Sequence, residues 1–186
     1  MTVLYSNDFE SETAWAGLAA WPTTAGSGMG VRAELAVRGT KSFGNGSNGD
    51  MALWTGSAGL GNQCIRHAQL FQSGIFMGAV LRGNVANQGY WCGLSNSGGT
   101  LSCTLSVYDF GTVSSVNAPI AATVSAGQVV HFEAKAIGSA IEVRAWIGSD
   151  ARPTSAIVSI TDTRFSTGSV GVRRWGSFGY GTCDDL

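Results

Sequence analysis

Apolar and polar residues alternate along GQVVHFEAKAIGSAIEVRAWIGSD, residues 127–150, with the period of two that belongs to a half-buried strand. Gly138-Ser139 interrupts the pattern once and suits a two-residue hairpin turn of type II′. Folding the chain there makes opposed residue numbers sum to 277. Val130, Phe132, Ala134 and Ala136 then face Ile147, Ala145, Val143 and Ile141 on an apolar surface. The other surface sets Lys135 against Glu142 and Glu133 against Arg144. Opposed unlike charges contribute about 0.2–1 kcal/mol each, enough to penalise a slipped register although small beside core burial. A one-residue slip would turn the whole apolar set to solvent, so the charges mark register and outer face together.

YWCGLSNSGGTLSCTLSVY, residues 90–108, predicts a second hairpin with Asn96-Ser97-Gly98-Gly99 as its loop and opposed numbers summing to 195. Tyr90, Cys92 and Leu94 lie against Leu105, Cys103 and Leu101 on its apolar face, while Trp91 shares the other face with Thr104 and Ser102. Cys92 is thereby opposite Cys103, which admits a disulfide. Two buried small hydrophobes is the preferred reading, since nothing in the chain implies an oxidising compartment. Neither Cys64 nor Cys183 adds the CxxC spacing of a zinc or redox site.

Further short segments between turn clusters read as strands: 2–9, 29–37, 50–55, 63–71, 74–81, 156–161 and 169–175. None has a helical period, and no repeat of solenoid or propeller length occurs. Many short strands and two-faced hairpins point to an all-β fold, two antiparallel sheets packed as a jelly-roll sandwich spanning 1–186 as one domain.

Composition agrees and then narrows function. Of 186 residues, 27 are glycine and 12% are charged, which suits turn-rich β structure rather than a helical bundle. A net charge of −1 without a basic cluster argues against nucleic acid as partner. No apolar run reaches the roughly 20 residues that a helix needs to cross a bilayer, so a membrane partner is not expected. The first residues, MTVLYSNDFESE, show neither a basic leader nor an apolar stretch. The expectation is therefore a protein without a secretion signal, made in the cytoplasm, that stays where it is made, leaves by assembly or lysis, or has lost a leader; display on a virion or release by lysis is the preferred reading. Asn45-Gly46-Ser47 matches a glycosylation sequon only formally and reads as a glycine-rich loop.

SNDFES, GTKSF, YWCGLSNSGGTL, AGQVVHFEAKAIGSAIEV, ITDTRFSTGSVGV and a terminal DDL occur in one order. Together they resemble the concanavalin A-like lectin/glucanase superfamily, in particular its laminin G-like bacterial and viral modules. The resemblance implies a jelly roll and a family that holds lectins, glycanases, adhesion modules and virion proteins. Its glycanases carry alternating carboxylates on one mid-chain strand, held about 5–5.5 Å apart for retaining chemistry. Asp8, Glu10 and Glu12 alternate in that way, but at the chain start and before the irregular TAWAGLAAWPTTAG, so no catalytic residue is assigned and the chain is not expected to be an enzyme. His67 and His131 lack a nucleophile-elbow GxSxG to serve. The resemblance also implies paired terminal strands, which would bring Asp8 and Glu10 near Asp184 and Asp185 as hard oxygen ligands for calcium.

Aromatic residues supply the remaining signal, because sugar sites combine a ring face with a few polar groups. In the derived register Trp146 lies opposite His131, beside Glu133 and Arg144. With Trp91 these residues form the candidate ligand or partner surface, whose bland alternative is contact with a loop or with a second copy in a homo-oligomer. Two functions are expected to compete. One is a non-catalytic lectin-like structural or adhesion module, a bacteriophage capsid decoration or tail-associated protein binding a surface glycan or a neighbouring virion protein. The other is a soluble carbohydrate-binding or accessory module of a bacterial glycan-degrading system.

Overall fold

The structure, a computed structural model, describes residues 23–25, 30–32, 42–45, 51–71, 75–84, 86–97, 100–110, 112–120, 123–176 and 181–183. Within them the chain forms β1 (Thr23–Ala25), β2 (Gly30–Arg32), β3 (Ser42–Asn45), β4 (Met51–Leu53), β5 (Gln63–Leu70), β6 (Ile75–Gly83) and β7 (Gly89–Ser97). β8 (Thr100–Asp109), β9 (Thr112–Pro119), β10 (Val129–Ile137), β11 (Ala140–Ile147), β12 (Val158–Thr161), β13 (Ser169–Gly176) and β14 (Gly181–Cys183) follow. A 3-10 turn, Thr55–Ser57, is the helical element among the described residues.

Seven strands pair antiparallel in the order β1-β4-β13-β6-β7-β8-β9, and β12-β11-β10-β5 form the opposing four-stranded sheet. A shorter sheet, β14-β3-β2, contributes Phe43 to the same core. Two antiparallel sheets closed over one apolar interior are the jelly-roll β-sandwich that the alternation predicts.

The β10–β11 hairpin has the predicted register, Val130 opposite Ile147 through Ile137 opposite Ala140. Gly138 takes φ +54°, the left-handed first corner that a type II′ turn requires. Phe132, Ala134, Ala136, Ile141 and Val143 are completely buried, facing Tyr90, Cys92, Leu101 and Leu105 of the other sheet.

In the β7–β8 hairpin the faces are as expected but the register is not. Cys92 pairs with Leu105, Leu94 with Cys103 and Ser97 with Thr100, so opposed numbers sum to 197 and the connection is the two-residue Gly98-Gly99. A shift of two residues keeps every side chain on its face, so the apolar pattern cannot exclude it. The turn decides. Displaced from one another, Cys92 and Cys103 are free thiols rather than a disulfide. Both are buried in apolar surroundings, which pushes their pKa values up, that of Cys103 to about 12.

β9, TVSSVNAP, lacks the predicted signal because it forms the sheet edge and leaves Val113 and Val116 exposed rather than alternating into the core.

Polar side chains on the inner face of β5 tie the sheets together. The Gln69 amide donates to the Met77 carbonyl (2.9 Å) and accepts from the Met77 N–H (2.9 Å). Gln63 donates to the carbonyls of Leu60 (2.9 Å) and Gly168 (2.7 Å) and accepts from the Arg82 N–H (2.7 Å). Each gives partners to buried backbone groups of β6 and its neighbouring loops that would otherwise lack them.

A register shift in the β6–β13 pairing and φ +51° at Arg82 mark a bulge that sends the Arg82 side chain across the end of the sandwich. Its guanidinium donates to the carbonyls of Gly61 (2.9 Å), Phe165 (2.7 Å) and Gly138 (2.5 Å), fastening three loops at once. Gly168 passes so close that a Cβ there would lie 2.4 Å from the Arg82 carbonyl carbon.

Candidate functional site

β10 runs between β5 and β11, so the outward residues of these strands line up in cross-strand rows. Ala68, His131 and Trp146 form one row; Arg66, Glu133 and Arg144 the next; Cys64, Lys135 and Glu142 the third. Successive rows lie two residues apart, about 7 Å. Trp146, His131, Glu133 and Arg144, the residues that the sequence pattern groups together, therefore share the outer face of the four-stranded sheet.

In the first row the His131 and Trp146 rings stack, with centroids 5.2 Å apart and planes within 15°. Both side chains are half-buried, and His131 Nε2 lies 3.1 Å from the Gly148 carbonyl oxygen. The stack presents partly exposed aromatic surface, its His131 edge tied to the β11–β12 loop.

The middle row departs from the expected solvent-exposed pair. Glu133 has no exposed surface, because Arg152 from the loop after β11 folds across it. Arg152 grips the carboxylate with Nε on Oε2 (3.0 Å) and Nη2 on Oε1 (2.5 Å). Arg66 Nε donates to Oε2, and Arg144 Nη1 reaches Oε1 at 3.3 Å. Burial alone would raise the Glu133 pKa, but the hydrogen bonds from Arg152 and Arg66, with the charges of both, hold it below the ordinary carboxylate value. Glu142 stands opposite Lys135 as expected, yet its carboxylate bonds Arg144 at 2.8 Å. The sequence pattern missed Arg66 and Arg152. Arg66 had a legible signal, an outward position in a recognised strand, but the pairing of β5 with β10 is not written locally.

Trp91 belongs elsewhere. It lies on the outer face of the seven-stranded sheet, 6% exposed, stacked on Tyr108 (3.8 Å, 11°) and covered by the Arg173 guanidinium 3.4 Å above its ring centre. With Met51, Leu53 and Val80 it forms a second apolar cluster, so it is a packing residue and not part of the Trp146 surface. The expectation failed because polar Thr and Ser neighbours on one strand pair do not reveal which apolar residues arrive from β4 and β6.

The proposed calcium ligands Asp8, Glu10, Asp184 and Asp185 lie outside the described residues, as does Glu12. Among the described residues, no three His, Cys, Asp or Glu side chains are grouped to hold a metal. Nor does a described helix have the length and apolarity to cross a membrane.

This architecture is a two-sheet jelly-roll β-sandwich, a fold that several solved structures share. The carbohydrate binding module CBM66 from Bacillus subtilis is similar with a TM-score of 0.58 at 14% identity, over 90% of this chain and 92% of that one. The exoplasmic/lumenal domain of VIP36, in a Ca2+/Man3GlcNAc-bound form, matches with a TM-score of 0.52 at 11% identity, covering 85% and 82% of the two chains. The apo form of the transglycosylase Crh5 matches with a TM-score of 0.53 at 14% identity, covering 92% of this chain and 68% of that one. No family model matches the sequence, and no curated protein does.

Proposed function

We propose that this chain is a non-catalytic, lectin-like module that holds a glycan on the outer face of its four-stranded sheet. The observation that carries the reading is the stacked His131–Trp146 platform, half-buried and set one row from a belt of guanidinium groups. A sugar ring offers a C–H face to an aromatic plane and hydroxyls to charged donors, and this face supplies both. The neighbouring folds that bind carbohydrate support the reading by analogy of architecture.

Catalysis is not assigned to this face. Glu133 is held ionised beneath three arginines, so it neither carries a proton for a leaving group nor reaches a substrate as nucleophile. The finer proposal is display on a bacteriophage particle as a decoration or tail-associated protein, with service in a glycan-degrading system as its competitor. A glycan array tests binding, with Trp146→Ala as the control that must lose it. Pull-down of particles or of glycan-degrading complexes from the native source separates the two settings. Absence of any glycan signal, or binding unaffected by Trp146→Ala, overturns the assignment.

A further inference from the structure

We infer that the glycan held on this face is acidic, and that Arg66 and Arg152 bind its carboxylate or sulfate groups. The inference rests on the reading of that face as a glycan site and names the ligand's chemistry. Four of the chain's eleven basic residues, Arg66, Lys135, Arg144 and Arg152, meet here in a protein of net charge −1. Against them, among the described residues, stand Glu133 and Glu142, so this described cluster carries 4 − 2 = +2.

Neutralising Glu133 does not account for that excess. One carboxylate needs one compensating charge, and Arg152 already meets it with a two-pronged grip. Arg144, 7% exposed, shares itself between Glu133 and Glu142. Arg66 is the surplus cation. Its side chain is 57% exposed and, among the described residues, uses only Nε, on Glu133. Both Nη groups are left to donate, as a fork matched to a planar carboxylate or to two sulfate oxygens. Arg152, 34% exposed, retains the N–H groups of Nη1 beside it.

Like charges gathered around one buried acid repel each other and gain from an incoming anion. Glu133 meanwhile fixes the guanidinium groups in advance, so less side-chain freedom is lost when a ligand arrives. The aromatic row lies about 7 Å away along the strands. A sugar seated on Trp146 thus places a substituent, or the next residue of the chain, over the arginines.

The test is calorimetric titration of the whole chain with polygalacturonate oligosaccharides, heparin-derived sulfated oligosaccharides, and uncharged oligomannose and β-glucan. The expected result is binding of an acidic oligosaccharide about tenfold or more tighter than of the uncharged ones, weakened by added salt. Preference between the first two probes identifies carboxylate or sulfate. Arg66→Gln should lose about tenfold on the acidic ligand and markedly less on the uncharged ones, which lose at most a hydroxyl contact. Arg66→Lys keeps the charge but not the fork, and guards against a folding defect, with unchanged melting as the criterion. Its expected loss is smaller, and salt sensitivity should persist. Uncharged glycans bound as tightly, with Arg66→Gln silent and Trp146→Ala disruptive, overturn the acidic inference and leave the glycan site standing. Acidic binding lost in Arg66→Gln but retained in Trp146→Ala does the reverse, sustaining the anion site and removing the platform.

Discussion

His67 is an internal pH gauge for the folded state. Its ring is 2% exposed, stacked on Phe132 at 5.1 Å, with Nε2 3.3 Å from both the Met77 carbonyl oxygen and Gln69 Nε2. Among the described residues no carboxylate is paired with the ring, and burial lowers the pKa from 6.5 to about 4. Above pH 6.5 folded and unfolded chains both carry neutral imidazole, and the stability linked to this group is fully present. As pH falls below that value the unfolded chain takes up a proton that the folded chain refuses, so stability declines until the folded ring titrates near pH 4. At 1.36 kcal/mol per pKa unit the whole loss is about 3 kcal/mol, a large part of the 5–15 kcal/mol typical of a domain.

Glu133 and Asp162 act in another window, because each is held below its ordinary carboxylate value. The stability they contribute is present at higher pH and lost as pH falls through those lowered values, below the range where His67 acts. Urea melts followed by far-UV circular dichroism at half-unit steps from pH 7.5 to 4.5 should give a slope approaching about 1.4 kcal/mol per pH unit below pH 6. His67→Leu should flatten that slope whatever it does to stability at neutral pH. Equal slopes in the two proteins would show that the ring is solvated or paired, and the buried-neutral assignment would fall.

Arg82→Met should destabilise by about 3 kcal/mol or more, since the carbonyls of Gly61, Phe165 and Gly138 lose a shared donor; an unchanged denaturation midpoint would refute the clamp. Trp91→Ala and Trp146→Ala should behave oppositely. The first costs about 3–5 kcal/mol in chemical denaturation and spares glycan binding, whereas the second spares the melt and costs about 2 kcal/mol in affinity. Cys92 and Cys103 should resist thiol reagents in the native protein at pH 8 and react fully in denaturant without prior reduction, because both are buried, free and raised in pKa. A mass increase of two hydrogens on reduction would indicate a disulfide instead.

Local pattern determined the faces and the fold class. Alternation along residues 129–147 specified which side chains enter the core, and the Gly138-Ser139 corner with its flanking charges specified the register as well. In the β7–β8 pair the same alternation settled the faces alone. Positions two residues apart are equivalent in polarity, and the structure pairs Cys92 with Leu105 and Ser97 with Thr100. Only the tertiary structure decided what covers each face. Arg66 comes from a strand paired at a separation of 67 residues, and Arg152 from a loop, so neither leaves a periodic trace near Glu133. The same holds for Trp91, buried by contacts from β4 and β6 that its own strand cannot announce. A strand's period encodes which side it shows, which is a local consequence of backbone geometry. Its partners are chosen by the packing of the whole sandwich, and they turned one expected surface ion pair into a buried carboxylate ringed by three arginines.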